Sequence, residues 1–315
     1  MEGGSRRAVV AALSANVGIA LAKLVGFAVT GAASLAAEAI HSLADTSNQL
    51  LLLLGGRRSA QEQSRSHPFG YGRERYFWAF VVALVLFSMG GVFAVYEGVR
   101  KLQHPHEVSD VGVALVILLV AMGLETFSLT TAIREAGRAR RGRSWWRFIR
   151  TSKDPELPVL LLEDTGANVG LLFALAGVVL ARVTGNARWD AAGSLAIGVL
   201  LVAVAGVLVV EMKSLLIGEA ASPSDQRAIV DALVSTPGIV RVLGMRTEHR
   251  GPEDLLVTAK IELLPELRAA EVAAAINDAE HRLRNAVQAA KVVYLEPDVF
   301  DPRRAPAEGG EHPQP

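Results

Sequence analysis

His41-Ser42-Leu43-Ala44-Asp45-Thr46-Ser47-Asn48 sets an imidazole and a carboxylate four residues apart between two largely apolar runs, residues 25–39 and 50–54. A helix through this stretch is long enough to cross a hydrocarbon layer of about 30 Å. At four-residue spacing His41 and Asp45 share one helix face, one turn apart. An ionisable group at that depth costs about 3 kcal/mol on insertion scales, so it marks a functional site whose partners lie elsewhere in the chain.

The rest of the chain supplies a membrane setting for that helix. Of its 315 residues 51% are hydrophobic and 20% charged, which is too apolar for an average soluble protein yet leaves room for a polar domain. The formal net charge is +0 and gives no reason to expect a nucleic-acid partner. With no cysteine, disulfides and thiolate metal sites are excluded, and any metal must be held by His, carboxylate or amide oxygen. Six hydrophobic segments are predicted to span: 9–29, 32–54, 77–99, 111–131, 157–183 and 191–210. The first is expected to be a retained helix rather than a cleaved signal, since no convincing cleavage site follows Arg6 and Arg7. An even count puts both termini on one side. Arg57, Arg58, Arg73 and Arg75 in one loop and Arg138, Arg140, Arg143, Arg147 and Arg150 in another fall on that side, which the positive-inside rule makes cytoplasmic.

After Lys213 the pattern turns amphipathic, and Ser222-Pro223-Ser224-Asp225 is a helix-start signal. A helix over 226–234, strands over 240–248 and 255–262 joined by an Arg250-Gly251-Pro252-Glu253 turn, a helix over 269–285 and a strand over 291–295 predict a ferredoxin-like α+β unit. The expected organisation is a six-helix transmembrane domain over 1–217, a cytoplasmic domain over 218–300 and a disordered tail over 301–315, rich in Pro and Gly.

Partners for His41 and Asp45 are sought in the other apolar segments. The fifth carries Leu161-Leu162-Glu163-Asp164-Thr165-Gly166-Ala167-Asn168. If it packs against the second, His41, Asp45 and Asp164 converge on one buried point. Asn168 stands one turn from Asp164, and Asn48 and Glu163 are further oxygen donors. Imidazole with carboxylate and amide oxygens suits a divalent transition metal, Zn²⁺ among them. Gly166, Ala167 and Gly170 allow the helices to approach closely. Glu125, Lys23 and Asn16 are each isolated in their segments and are read as interhelical hydrogen-bonding or snorkelling positions. His67, His104 and His106 fall in loops.

Together, His41-Ser-Leu-Ala-Asp45-Thr-Ser-Asn48, the loop His67-Pro68-Phe69-Gly70-Tyr71-Gly72, the Glu163-Asp164 pair and Asp190-Ala-Ala-Gly-Ser-Leu-Ala-Ile-Gly198 resemble the cation diffusion facilitator family from the first segment to Pro297. The resemblance implies six transmembrane helices, a cytoplasmic ferredoxin-like domain, a homodimer in a lipid bilayer, and export of Zn²⁺ or a similar cation in exchange for H⁺, with no prosthetic group. Many members carry His four positions before the fifth-segment Asp. Leu160 stands there instead, as in a mitochondrial and bacterial branch of zinc-transporter-like proteins with Glu-Asp. Fewer nitrogens leave Mn²⁺, Fe²⁺ or Co²⁺ open as cargo. Ser64 and Tyr71 stand where some members have a loop metal site. Leu243, Lys260 and Tyr294 stand where zinc-sensing members have His-rich sites, so the C-terminal domain is expected to dimerise without a zinc cluster.

The expected function is therefore a secondary active transporter in a bacterial cell membrane, not an enzyme, with both termini cytoplasmic. The alternative is a membrane metal sensor or scaffold without turnover. An intramembrane enzyme ranks last, for want of HExxH or a nucleophile motif. By the same resemblance Arg73 and Glu219 are expected to form an ion pair at the cytoplasmic surface. Transport by the charge-swapped double variant Arg73→Glu with Glu219→Arg, compared with each single change, tests this: rescue supports the pair and additive loss rejects it.

Overall fold

Gly31 decides how the membrane part begins. Its φ of 65° ends the first helix in the left-handed region, where its N–H reaches back to the Phe27 carbonyl at 2.7 Å. The chain then re-enters a helix at once, so α1 (Gly3–Thr30) and α2 (Ala33–Ser59) form an antiparallel hairpin. The computed structural model describes residues 3–105, 107–140 and 142–300, with side chains from Asn16 onward. The expected disordered tail over 301–315 and His106 lie outside the described residues.

Three long helices and one short one sit between α2 and the last helix of this unit. They are α3 (Glu74–Gln103), α4 (Val111–Ala139), α5 (Trp145–Thr151) and α6 (Glu156–Thr184), and the unit closes with α7 (Arg188–Ile217). Four of them, α3, α4, α6 and α7, are long and apolar enough to cross a membrane. The predicted six are not all recovered on that criterion. α1 is a shorter apolar helix over its described residues Asn16–Thr30, and α2 carries Glu38, His41 and Asp45. The physical reason is visible in the packing. α2 touches α1, α3 and α6, with Glu38, His41 and Asn48 buried, so its polar residues are enclosed by protein. α4 is the reverse case, exposing Val116, Leu119, Val120 and Phe127 as a lipid-facing helix does.

Glycines set how closely the helices approach. A Cβ at Gly193 of α7 would lie 2.8 Å from the Phe173 carbonyl oxygen on α6, and one at Gly198 would lie 2.7 Å from the Val95 backbone nitrogen on α3. α3 is interrupted by a π-helical stretch, Leu86–Val92, that brings Gly90 against Leu201 and the His41 ring. α5 was not read from the sequence. Ser144 caps it by accepting from the Arg147 N–H, Arg140 lies over the Trp145 ring at 4.5 Å, and Arg150 pairs with Glu211 at 3.0 Å.

The chain divides into two compact units, 1–213 and 214–315. In the second, the Ser222 hydroxyl accepts from the Asp225 N–H and starts α8 (Pro223–Val234). β1 (Ile239–Gly251) and β2 (Asp254–Leu263) pair antiparallel, and after α9 (Ala269–Ala286) the chain returns as β3 (Ala290–Asp298), parallel to β2. The sheet order is β1-β2-β3, in register at Thr247 opposite Val257 and Val257 opposite Val293. This is the predicted helix-strand-strand-helix-strand order, a ferredoxin-like arrangement without its leading strand. Alternate residues of β2, Leu255, Val257, Ala259 and Ile261, point into a core completed by Ile229, Leu233, Ala279 and Leu283. Lys260 points outward, where Asp298 at 2.9 Å and Glu296 at 3.2 Å hold its ammonium protonated above the usual lysine range.

Candidate metal site

α2 and α6 pack together and bring their acidic residues to one small cavity of about 20 Å³, room for one water molecule or a bare cation. Asp45, Gln49 and Ser42 come from α2, and Leu160, Glu163 and Asp164 from α6. Glu125 and Ser128 come from α4, and Asn16 and Ile19 from α1. Four helices thus contribute to its wall, and four carboxylates face it.

Asp164 Oδ2 accepts from the Ser128 hydroxyl at 2.9 Å, and Glu163 Oε1 accepts from Asn48 Nδ2 at 2.6 Å. Asn168 donates to the Asp164 carbonyl at 2.9 Å and accepts from Thr126 at 2.8 Å, and it does not line the cavity. The unsatisfied groups are more telling. His41 is wholly buried, its Nδ1 lies 3.6 Å from Asp45 Oδ1, and neither ring nitrogen makes a hydrogen bond among the described residues. Asp45 Oδ1 and Asn48 Oδ1 are likewise buried without a partner there. Buried polar atoms are paired in the great majority of folds, so an exception needs a reason.

Asp45, Asp164 and Glu163 share the cavity wall. His41 stands one turn from Asp45, outside the lining, and Asn48 is tied to Glu163. Asn168 is turned to Thr126. Among the described residues no three His, Asp or Glu side chains are gathered into a ready coordination sphere. Like charges around one cavity repel, and a cation between them would draw them in.

Sequence reading missed part of this wall. Glu125 and Asn16, read there as packing positions, line the cavity. Glu38, one turn before His41 on the same face, is fully buried and takes the Lys23 ammonium at 3.0 Å. The available signal was polarity itself, charge at Glu125 and Glu38 and an amide at Asn16, since each interrupts an apolar segment.

The chain thus joins a unit of long apolar helices, four of its carboxylates lining one cavity, to a small αββαβ unit. The chain belongs to the cation diffusion facilitator family: a model described as "Cation efflux transmembrane domain" matches residues 9–217. It falls on the zinc-transporter-like branch. Over 242 residues it is 33% identical to "Proton-coupled zinc antiporter SLC30A9, mitochondrial" of Xenopus laevis, covering 76% of this chain and 43% of the relative. It is 30% identical over 260 residues to "Metal tolerance protein C4" of Arabidopsis thaliana, covering 82% of this chain and 57% of that one. The chain spans less than two thirds of either relative's length. A solved structure titled "MamM-CTD 215-293" covers 24% of this chain and 95% of its own, at 17% identity and a TM-score of 0.23.

Proposed function

We propose that this chain is a proton-coupled exporter of divalent cations, with Zn²⁺ as the leading cargo. The observation that carries the reading is the pairing of an unpartnered buried imidazole, His41, with Asp45 on a cavity wall shared with Asp164. His41, Asp45 and Asp164 are the proposed ligands, with Glu163 as the nearer further donor. Asn48 follows it, and Asn168 would have to leave Thr126 to take part.

The chemistry follows from the donors. Neutral imidazole and ionised carboxylate bind a divalent ion, and their protonated forms do not, so protons arriving from the far side release it. Rocking of the helices would expose the cavity to each side in turn. The six-span arrangement, the cytoplasmic termini, the bacterial cell membrane and the homodimer belong to this proposal. The basic loops support the orientation, and the relative named as a zinc antiporter supports the cargo and the coupling ion. Flux of Zn²⁺, Mn²⁺, Fe²⁺ and Co²⁺ into proteoliposomes with an imposed proton gradient tests it. Binding without flux in every case would leave a sensor or scaffold.

Leu160 lines the cavity one turn from Asp164, which makes it a handle on selectivity. Leu160→His adds an imidazole to an oxygen-rich wall and is expected to raise the Zn²⁺ to Mn²⁺ preference by about tenfold, since nitrogen donors favour the later ion. An unchanged ranking in competition flux assays would remove Leu160 from the site.

A further inference from the structure

The transport reading leaves one charge beside the cavity unused. α1 carries Lys23 into the apolar interior, where the side chain is fully enclosed. Its Nζ donates to Glu38 Oε2 at 3.0 Å and to the Ser42 hydroxyl at 2.7 Å, and lies 3.9 Å from Glu125 Oε1 on α4. An ammonium has three protons, so a third acceptor is within its means. These acceptors differ in kind. Ser42 and Glu125 line the metal cavity, whereas Glu38 stands outside the lining, packed so tightly on Gly170 that a Cβ there would lie 2.7 Å from its Oε1. Lys23 therefore spans from a fixed carboxylate outside the cavity to one on its wall.

If Lys23 and Glu38 only tied α1 to α2, the ammonium would have no need of a second carboxylate on a third helix. Placed as it is, its charge acts directly on any cation that enters, because a unit charge a few ångströms away in a protein interior is only weakly screened. We propose that Lys23 is a tethered competitor of the transported cation. Its ammonium balances Glu125 while the cavity is empty, and it falls back on Glu38 when a divalent ion takes that carboxylate. The consequence is weaker binding and faster release, which suits a carrier that must let its cargo go. The inference rests on the proposed transport function for the identity of the cargo.

The test removes the ammonium without stranding Glu38. Lys23→Met alone leaves a buried unpaired carboxylate and is expected to fold poorly, whereas Lys23→Met with Glu38→Gln replaces the pair by neutral groups. For the full chain in detergent, calorimetric titration with Zn²⁺ should give a Kd about tenfold lower for the double variant than for wild type. In proteoliposomes KM and kcat should fall together. Adding Glu125→Gln should return the Kd toward the wild-type value. A well-folded double variant with wild-type Kd and KM would overturn the proposal and reduce Lys23 and Glu38 to a helix tie. Binding needs no turnover, so a wild type that binds Zn²⁺ but moves none sinks the transport reading alone and leaves Lys23 to be judged on the Kd. A wild type that binds no Zn²⁺ overturns both.

Discussion

Asp45→Ala and Asp164→Ala should each reduce metal-dependent flux in proteoliposomes to the level of empty vesicles, while the proteins insert and purify normally. Both carboxylates face the cavity, and neither pairs with a cation on another helix among the described residues: Asp164 accepts from Ser128 there, and Asp45 Oδ1 makes no hydrogen bond, its neighbour being His41 Nδ1 of the same helix at 3.6 Å. With Glu125 and Glu163 on the same wall, the empty site crowds buried carboxylates at a cost in repulsion or desolvation, and removing one member relieves it. The metal-free variants should therefore melt no lower than wild type, and the gain expected on adding Zn²⁺, about 2.7 kcal/mol at a hundredfold excess over Kd, should vanish with the flux. Stability kept and activity lost is the mark of a site held at some expense to the fold. Retained flux in Asp164→Ala would remove α6 from the site, and a large drop in metal-free melting temperature would show the carboxylate to be structural.

The fold was legible wherever a pattern ran long enough. Each of the six predicted segments falls on one helix, the second starting one residue ahead of α2, because a long apolar run favours the helix, which satisfies its N–H and C=O groups internally. Ser222-Pro223-Ser224-Asp225 marked the start of α8 because cap chemistry is local. α5 escaped because seven residues, Trp145–Thr151, are too few to show a period inside an Arg-rich stretch.

The site was legible only within single helices. His41 and Asp45 lie one turn apart by the geometry of α2, whereas it is the packing of α2 on α6 that sets Asp45 and Asp164 on one cavity wall. Which further side chains complete the wall depends on helix rotation, which hydropathy does not encode. Asn168 points to Thr126 instead of the cavity because α4 offers it a hydroxyl there, and Glu125 enters the wall from that same α4. Lys23, Glu38 and Glu125 lie on three helices, and their meeting is a fact of packing alone.

A second such meeting should dominate stability. α2 begins at Ala33 without a side-chain cap of its own, since Ala32 stands at the cap position. Asp190, at the start of α7, supplies one from far along the chain. Its Oδ2 accepts from the Ala33 N–H at 2.7 Å, and its Oδ1 accepts from the Ser34 N–H at 3.3 Å and from the Ser34 hydroxyl. The same carboxylate meets the Lys101 ammonium at 2.7 Å, and Lys101 also donates to the Gly31 carbonyl at 2.8 Å. Both side chains are completely buried, so α1, α2, α3 and α7 are joined at one dry point beside the Gly31 turn. Asp190→Ala strands the ammonium and the first N–H groups of α2 together, and breaking a buried pair from one side costs about 3 to 5 kcal/mol. Lys101→Met leaves the carboxylate with its N–H donors and should cost less than Asp190→Ala. The double variant should be less destabilised than the sum of the two single variants, a coupling that a double-mutant cycle of detergent melting curves would read directly. An Asp190→Ala protein melting within about 0.5 kcal/mol of wild type, the range of ordinary surface substitutions, would show that α2 starts without this clamp.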